Sequence, residues 1–190
     1  LRIALFGGTF DPVHNAHLVV AREALEQCSL DRILFVPAAQ PPHKRGAHAP
    51  YEDRIRMLEL ACQGEPRFEV SRLEQGTARS YTIDTIERAR KMLGRECRLF
   101  FLIGADAFSE IESWRRWRDV VASIEFIVVS RPGHEYRIPE GARILRLETV
   151  ALPVSSSDIR RQLGAGQTPA DVPAAVLEFI RKRGLYRTPA

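Results

Sequence analysis

Between Gly7 and Leu18 the chain reads GGTFDPVHNAHL, a stretch crowded with residues that can meet a negatively charged group. His14 and His17 stand three apart, which sets both imidazoles on one side of the first turn of a helix. Gly7 and Gly8 directly follow an apolar run, RIALF, and glycine at that point lets a ligand approach the backbone closely. Asp11-Pro12 reads as a tight turn whose carboxylate can accept from amides just ahead of it. A helix starting near Asn15 aims its unpaired N–H groups and the positive end of its dipole at the same loop. The pattern describes a pocket for an anion.

Other chemistries compete for these residues. A dinucleotide-binding loop needs Gly-x-Gly-x-x-Gly and an acidic residue about twenty positions on, which the Gly7-Gly8 pair does not supply. Zinc could draw on His14 and His17 with His43 or His48, but no Cys or acidic residue stands at a companion spacing. A simple capping turn would also use two histidines. The coincidence of the glycines, the Asp-Pro turn and the strand-to-helix position weakens that reading.

The elements that must position the loop show in the periodicity. Apolar runs suited to buried parallel strands occur at Ile3–Phe6, Ile33–Val36, Phe68–Val70, Leu99–Ile103, Phe126–Val129 and Ile144–Leu147. Helical patterns lie between and after them, at Ala16–Cys28, Tyr51–Cys62, Thr82–Leu93, Trp117–Ala122, Asp158–Leu163 and Pro173–Arg183. In the second of these Ile55, Leu58 and Cys62 share a face, with Glu52, Asp53, Arg56 and Glu59 turned elsewhere. Strand and helix alternating in this way predict an α/β fold, a doubly wound, Rossmann-like parallel sheet with helices on both faces. Its ligands are expected at the carboxyl ends of the strands, beside the point where strand order reverses. That is where Gly7 and Gly8 fall.

Composition bounds the rest. The 190 residues suit one domain, 1–190, large enough to bury roughly 70% of its unfolded surface. Hydrophobic residues make up 45% and charged ones 27%, the balance of a soluble globular protein. No apolar run approaches the ~20 residues of a membrane helix, and no export signal is evident, so no membrane partner and a cytoplasmic location are expected. Cys28, Cys62 and Cys97 each lie in a periodic segment and read as buried structural thiols in a reducing compartment. A net charge of +4 suits a protein that handles anions. The basic clusters at Arg115, Arg116 and Arg118 and at Arg181–Arg183 read as solvated helix faces, so no nucleic-acid partner is expected.

Gly7–Leu18 resembles the Gly-x-Phe-Asp-Pro-x-His-x-Gly-His signature of the nucleotidyltransferase superfamily related to class I aminoacyl-tRNA synthetases. VSSSDIRRQL, Val154–Leu163, resembles its second signature, Ile-Ser-Ser-Thr-x-Ile-Arg. Ala16 departs from the Gly usual between the histidines. Within the superfamily the chain resembles the bacterial nicotinate-mononucleotide adenylyltransferases over nearly its whole length. The matching pieces are PPHK (Pro41–Lys44), SYT (Ser80–Thr82), IGADAF (Ile103–Phe108) with Trp114 after it, SRPG (Ser130–Gly133) and the tail VLEFIRKRGLY. The resemblance implies adenylyl transfer from ATP to nicotinate mononucleotide, giving the dinucleotide precursor of NAD and pyrophosphate. Pantetheine-phosphate adenylyltransferase shares both signatures and is the nearest alternative; a non-catalytic nucleotide-binding module or an RNA-binding relative is another. Cytidylyltransferases carry a different C-terminal motif.

Residue roles follow from the resemblance. His14, His17, Lys44 and Arg160 are the expected catalytic group, stabilising phosphates rather than acting as general bases. ATP is expected to meet Gly7, Gly8, Thr9, Phe10, His14, His17, Asp106, Ser155, Ser156, Ile159 and Arg160, with Asp106 accepting from ribose hydroxyls and the helices from about residue 155 completing this side. Nicotinate mononucleotide is expected at Thr9, Lys44, Tyr81, Thr82 and Trp114, the indole stacking on the pyridine; Trp117 reads as the better core residue of the two tryptophans. Mg²⁺ is expected to arrive with ATP, bound through phosphate oxygens and water, with no metal site of the protein's own. Homo-oligomers are compatible with this reading.

Overall fold

The RIALF run becomes strand β1 (Arg2–Gly8) in the computed structural model, which describes residues 1–40, 47–150 and 154–187. Ile3 and Leu5 point to one face of the sheet and Ala4 to the other, and all three are buried, because helices cover both faces. The chain continues through α1 (Asn15–Gln27), β2 (Arg32–Pro37), α2 (Tyr51–Ala61), β3 (Phe68–Val70) and α3 (Thr82–Leu93). The second half holds β4 (Arg98–Gly104), α4 (Ala105–Ser109), a 3-10 turn at Ile111–Ser113, α5 (Trp117–Ser123), β5 (Glu125–Ser130), β6 (Arg143–Glu148), α6 (Ser156–Gly164) and α7 (Ala174–Arg183).

All six strands are parallel, in the order β3-β2-β1-β4-β5-β6. This is the doubly wound arrangement expected from the sequence, and strand order reverses between β1 and β4. Gly7 and Gly8 of β1 lie opposite Val36 and Pro37 of β2, so the glycines end at the sheet's carboxyl edge. One core, around Ala4, Phe35, Phe100 and Ile127, packs α1, α2, α6 and α7 onto one face. The other, around Leu5, Phe101, Phe126 and Val128, takes α3, α4 and α5. Burying one such leucine or phenylalanine contributes about 1.5–3 kcal/mol, so the two layers hold the loops at the carboxyl edge on a rigid base.

Two local expectations need correction. In α2, Asp53 is buried rather than turned outward, paired with Arg183 of α7 through two hydrogen bonds of 3.1 and 3.2 Å. Trp117 is no more a core residue than Trp114: both are half-buried, and the Arg118 guanidinium covers the Trp117 ring at 4.5 Å. The five-residue α4 and the 3-10 turn carry too few turns to print a periodicity. The three cysteines are free and buried.

Candidate active site

The β1–α1 loop is shaped by close approaches. A Cβ on Gly8 would come within 2.9 Å of the Phe10 ring, and one on Gly7 within 3.1 Å of Phe101, so neither position admits a side chain without displacing an aromatic. Phe10 adopts a positive φ of 49°, uncommon for a bulky residue, and its ring is 2% exposed. The Asp11 carboxylate does not bond the amides just ahead of it. It accepts instead from the N–H groups of His48 (2.6 Å) and Ala49 (3.1 Å) and from the hydroxyl of Tyr186 (2.7 Å). Three donors on one buried carboxylate tie the loop to the segment before α2 and to the chain after α7.

Arg54 was not anticipated. It is the largest of the fully buried side chains, and Nη1 donates to the carbonyls of Thr9 and Ala38, each at 2.8 Å. Nε and Nη2 reach the carbonyls of Ala49 (3.3 Å) and Ala39 (3.4 Å). One guanidinium thus fastens the loop after β1 to the loop after β2. The available signal was a charge four residues before Leu58, on the apolar stripe of α2.

His14 is the N-cap of α1 and His17 lies one turn in. Their rings stack with centroids 3.7 Å apart and planes at 27°, so the two are brought together as the spacing predicted. The His14 N–H donates to Nδ1 of His17 at 3.2 Å, which leaves the proton of neutral His17 on Nε2, the atom free to donate to a ligand. Burial lowers the His14 pKa to about 4 against a partial pull upward from Asp171. Burial and the neighbouring His14 hold His17 well below the ordinary imidazole value. Both are therefore neutral donors at pH 7. Among the described residues Nδ1 of His14 is buried without a hydrogen-bond partner. The first amide of α1, at Asn15, is taken by the Asp171 carbonyl at 2.8 Å.

Across from the histidines stands the start of α6. Ser155 caps it, its Oγ accepting from the Asp158 N–H at 3.1 Å and donating to the Asp158 carboxylate at 2.8 Å. Ser156 Oγ donates to the Pro12 carbonyl at 2.9 Å, and Arg160 Nη1 to the Asp11 carbonyl at 2.7 Å. Arg160 Nη2 also reaches Ser157 Oγ at 3.2 Å. Ile159 is turned into the core and its N–H bonds the Ser155 carbonyl, so it supports the cleft wall from behind. Gly8–Phe10, both histidines, His48, Ser155, Ser156 and Arg160 enclose a cleft of about 420 Å³.

A second cleft, about 210 Å³, opens between β1 and α3, lined in part by Gly7, Gly8, Thr9, Thr82, Phe101 and Trp114. Trp114 meets Phe101 edge to face at 6.3 Å. Tyr81 is the N-cap of α3 and makes no side-chain capping bond, leaving first-turn amides such as that of Thr82 for a ligand. Glu74, 6% exposed and also missed, stands on this wall, accepting from Thr85 Oγ1 at 2.6 Å and the Ala39 N–H at 3.3 Å. Asp106 is fully exposed in the first turn of α4 and lines neither cleft itself, although the next residue, Ala107, lines the second; Gly104 is the N-cap there, not Asp106, and His134 Nε2 stands 3.9 Å from the Asp106 carboxylate. Lys44 lies outside the described residues.

Among the described residues no three His, Cys, Asp or Glu side chains gather to hold a metal ion. The histidine cleft offers neutral imidazoles, hydroxyls and a guanidinium, which are donors for phosphate oxygens, while the Asp11 carboxylate is already occupied. That donor set fits a divalent metal that arrives on a nucleotide. No helix among the described residues is long and apolar enough to cross a membrane.

Comparison with known proteins agrees with this geometry. A family model described as cytidylyltransferase-like matches residues 5–162. A probable nicotinate-nucleotide adenylyltransferase of Solibacter usitatus is 58% identical over 187 residues, covering 98% of this chain and all of that protein. One from Thermus thermophilus is 42% identical over 192 residues, again covering 98% of this chain and 100% of the relative. In fold, the chain superposes on the Plasmodium falciparum nicotinic acid mononucleotide adenylyltransferase complexed with NaAD with a TM-score of 0.82, at 20% identity and covering 97% of each chain. With full-length relatives at this identity, the chain belongs to the nicotinate-nucleotide adenylyltransferase family of cytidylyltransferase-like proteins.

Proposed function

We propose that the chain transfers the adenylyl group of ATP to nicotinate mononucleotide, giving nicotinate adenine dinucleotide and pyrophosphate for NAD synthesis. The observation that carries this reading is that the two clefts meet: Gly8 and Thr9 line both. A mononucleotide seated beside Trp114 brings its phosphate to that junction, and ATP lying along α6 brings its α-phosphate to the same place. Holding two reactants so aligned is worth several kcal/mol, on the order of 7–11 in well-oriented cases.

An oxygen of the mononucleotide phosphate bonds to the α-phosphorus as the bond to the bridging oxygen of pyrophosphate breaks, and the electron pair leaves with pyrophosphate. A phosphate monoester is already ionised at pH 7, so no general base is required. His17, through Nε2–H, and His14 donate to oxygens of the α-phosphate. Arg160 keeps one arm on the Asp11 carbonyl and turns its remaining N–H groups to the leaving pyrophosphate, with Ser155 and Ser156 beside it. Gly7, Gly8, Thr9 and Phe10 cradle the nucleotide through backbone atoms, Asp106 takes ribose hydroxyls, and Lys44 joins the phosphates. Mg²⁺ bound to the phosphates of ATP supplies charge neutralisation. Thr82 and Tyr81 present amides to the nicotinate carboxylate and Trp114 stacks on its ring. The helices from about residue 155 complete the ATP side, so 1–190 works as one domain. The buried free thiols support a cytoplasmic location.

Pyrophosphate release from ATP is the test, with nicotinate mononucleotide and pantetheine phosphate offered separately. Release with nicotinate mononucleotide alone is expected. Release with pantetheine phosphate alone would exchange the substrate, and no release with either would leave a nucleotide-binding module.

A further inference from the structure

We propose that the Arg115 side chain, seconded by Arg79, selects the acid form of the mononucleotide over its amide, an inference that rests on the adenylyl-transfer reading above. Outside the Trp114 cleft lies a second hollow of about 500 Å³ that shares Ser80, Thr82, Ala107 and Trp114 with it and is walled by Tyr81, Glu110 and Arg115. The Arg115 guanidinium stands 4.6 Å from the centre of the Tyr81 ring. Arg79 Nη1 donates to the Tyr81 hydroxyl at 3.2 Å. Two cations thus flank the residue that caps α3.

Their charge is not spent on ion pairs. Among the described residues no carboxylate pairs with Arg79 or Arg115, whereas the next residue, Arg116, is taken up by Glu87 and Asp119. The Tyr81 phenol is held below its ordinary pKa, mainly by Arg79 and more weakly by Arg115, as a positive local potential requires. Glu110 stands on the outer wall and tempers that potential.

The inner end of the cleft has the opposite sign. Glu74 is buried there, with its oxygens bonded to Thr85 and Ala39. An anionic substituent on a ring beside Trp114 is repelled from Glu74 and drawn toward Thr82, Tyr81 and Arg115. A carboxamide carries no charge and gains little from this gradient. Backbone amides read the hydrogen-bonding pattern of the substituent; the two arginines read its charge.

Both arginines are exposed, so water and salt weaken the effect, and it is ionic-strength dependent. The test is kcat/KM with nicotinate and with nicotinamide mononucleotide, and calorimetric Kd for each, in native protein, Arg115→Gln, Arg115→Lys and the Arg79→Gln/Arg115→Gln double variant. Arg115→Gln is expected to narrow the preference for the acid by about fivefold to tenfold through the acid arm, the amide moving by less than about twofold. Arg115→Lys is expected to restore most of it, and the double variant to narrow it further. Between about 10 mM and 1 M salt the native preference should shrink toward that of the double variant, whose own preference stays flat. A native enzyme that prefers the acid and a double variant that keeps the full preference would overturn the role of the arginines and leave adenylyl transfer standing. A native enzyme that adenylylates neither mononucleotide would overturn both.

Discussion

The imidazoles of His14 and His17 lie face to face, centroids 3.7 Å apart, with the His14 backbone N–H on Nδ1 of His17. That bond fixes which nitrogen of His17 can donate. The amide nitrogen of Gln reaches about as far as Nε2, while that of Asn reaches only as far as Nδ1. His17→Ala is expected to lower kcat about 100-fold, the usual cost of one preorganised donor of about 3 kcal/mol, with KM for the mononucleotide little changed. His17→Gln should recover part of that loss and His17→Asn none. Steady-state kinetics on the three variants check it, and equal rates for Gln and Asn would remove the tautomer assigned here.

Burial of His14 makes stability depend on pH. Its pKa is about 4 in the folded chain against 6.5 ordinarily, so between those values the unfolded chain binds more protons. The contribution is present in full above about pH 6.5, declines as pH falls, and is gone by about pH 4, an effect on the order of 3 kcal/mol. His17 acts in the same direction. Urea midpoints measured from pH 7.5 to 4 should fall more steeply for the native protein than for His14→Gln.

Ala16 occupies the position between the histidines where Gly is usual in the superfamily. It is 8% exposed and lies within the first turn of α1, so the methyl is accommodated. Ala16→Gly is expected to cost up to about 1 kcal/mol of stability and to leave turnover within a few-fold of native. Thermal unfolding and initial rates measure both; a large gain in rate would show that the methyl impairs the loop.

Removing the Tyr186 hydroxyl takes one of three donors from the Asp11 carboxylate. A hydrogen bond to a charged group contributes about 1.5–3 kcal/mol, so Tyr186→Phe is expected to lower Tm by roughly 4–8 °C. Because the Asp11 carbonyl holds Arg160, kcat should fall several-fold while KM for the mononucleotide holds. An unchanged kcat at the lower Tm would confine Tyr186 to a structural role.

The sheet was legible because parallel strands buried on both faces print as unbroken apolar runs, as at Ile33–Val36 and Leu99–Ile103. The pairing of His14 with His17 was legible from helical spacing alone. Asp11 was misread because local turn chemistry says nothing of donors brought from His48, Ala49 and Tyr186. Arg54 and Glu74 stayed hidden for a related reason. A buried charge satisfied by backbone carbonyls or by a threonine hydroxyl has no partner of opposite sign in the sequence to betray it.

The loop that carries the histidines leaves the ribosome well before the groups that finish it. Ser156 reaches back 144 residues to the Pro12 carbonyl, Arg160 149 residues to that of Asp11, and Tyr186 175 residues to the Asp11 carboxylate. At bacterial-to-eukaryotic elongation rates the loop waits on the order of 10–30 s for its last partners. A nascent chain halted after β6 has its histidines but neither Arg160 nor the start of α6 to face them. The histidine cleft therefore closes only once α6 and Tyr186 have been made and have folded back onto the β1–α1 loop.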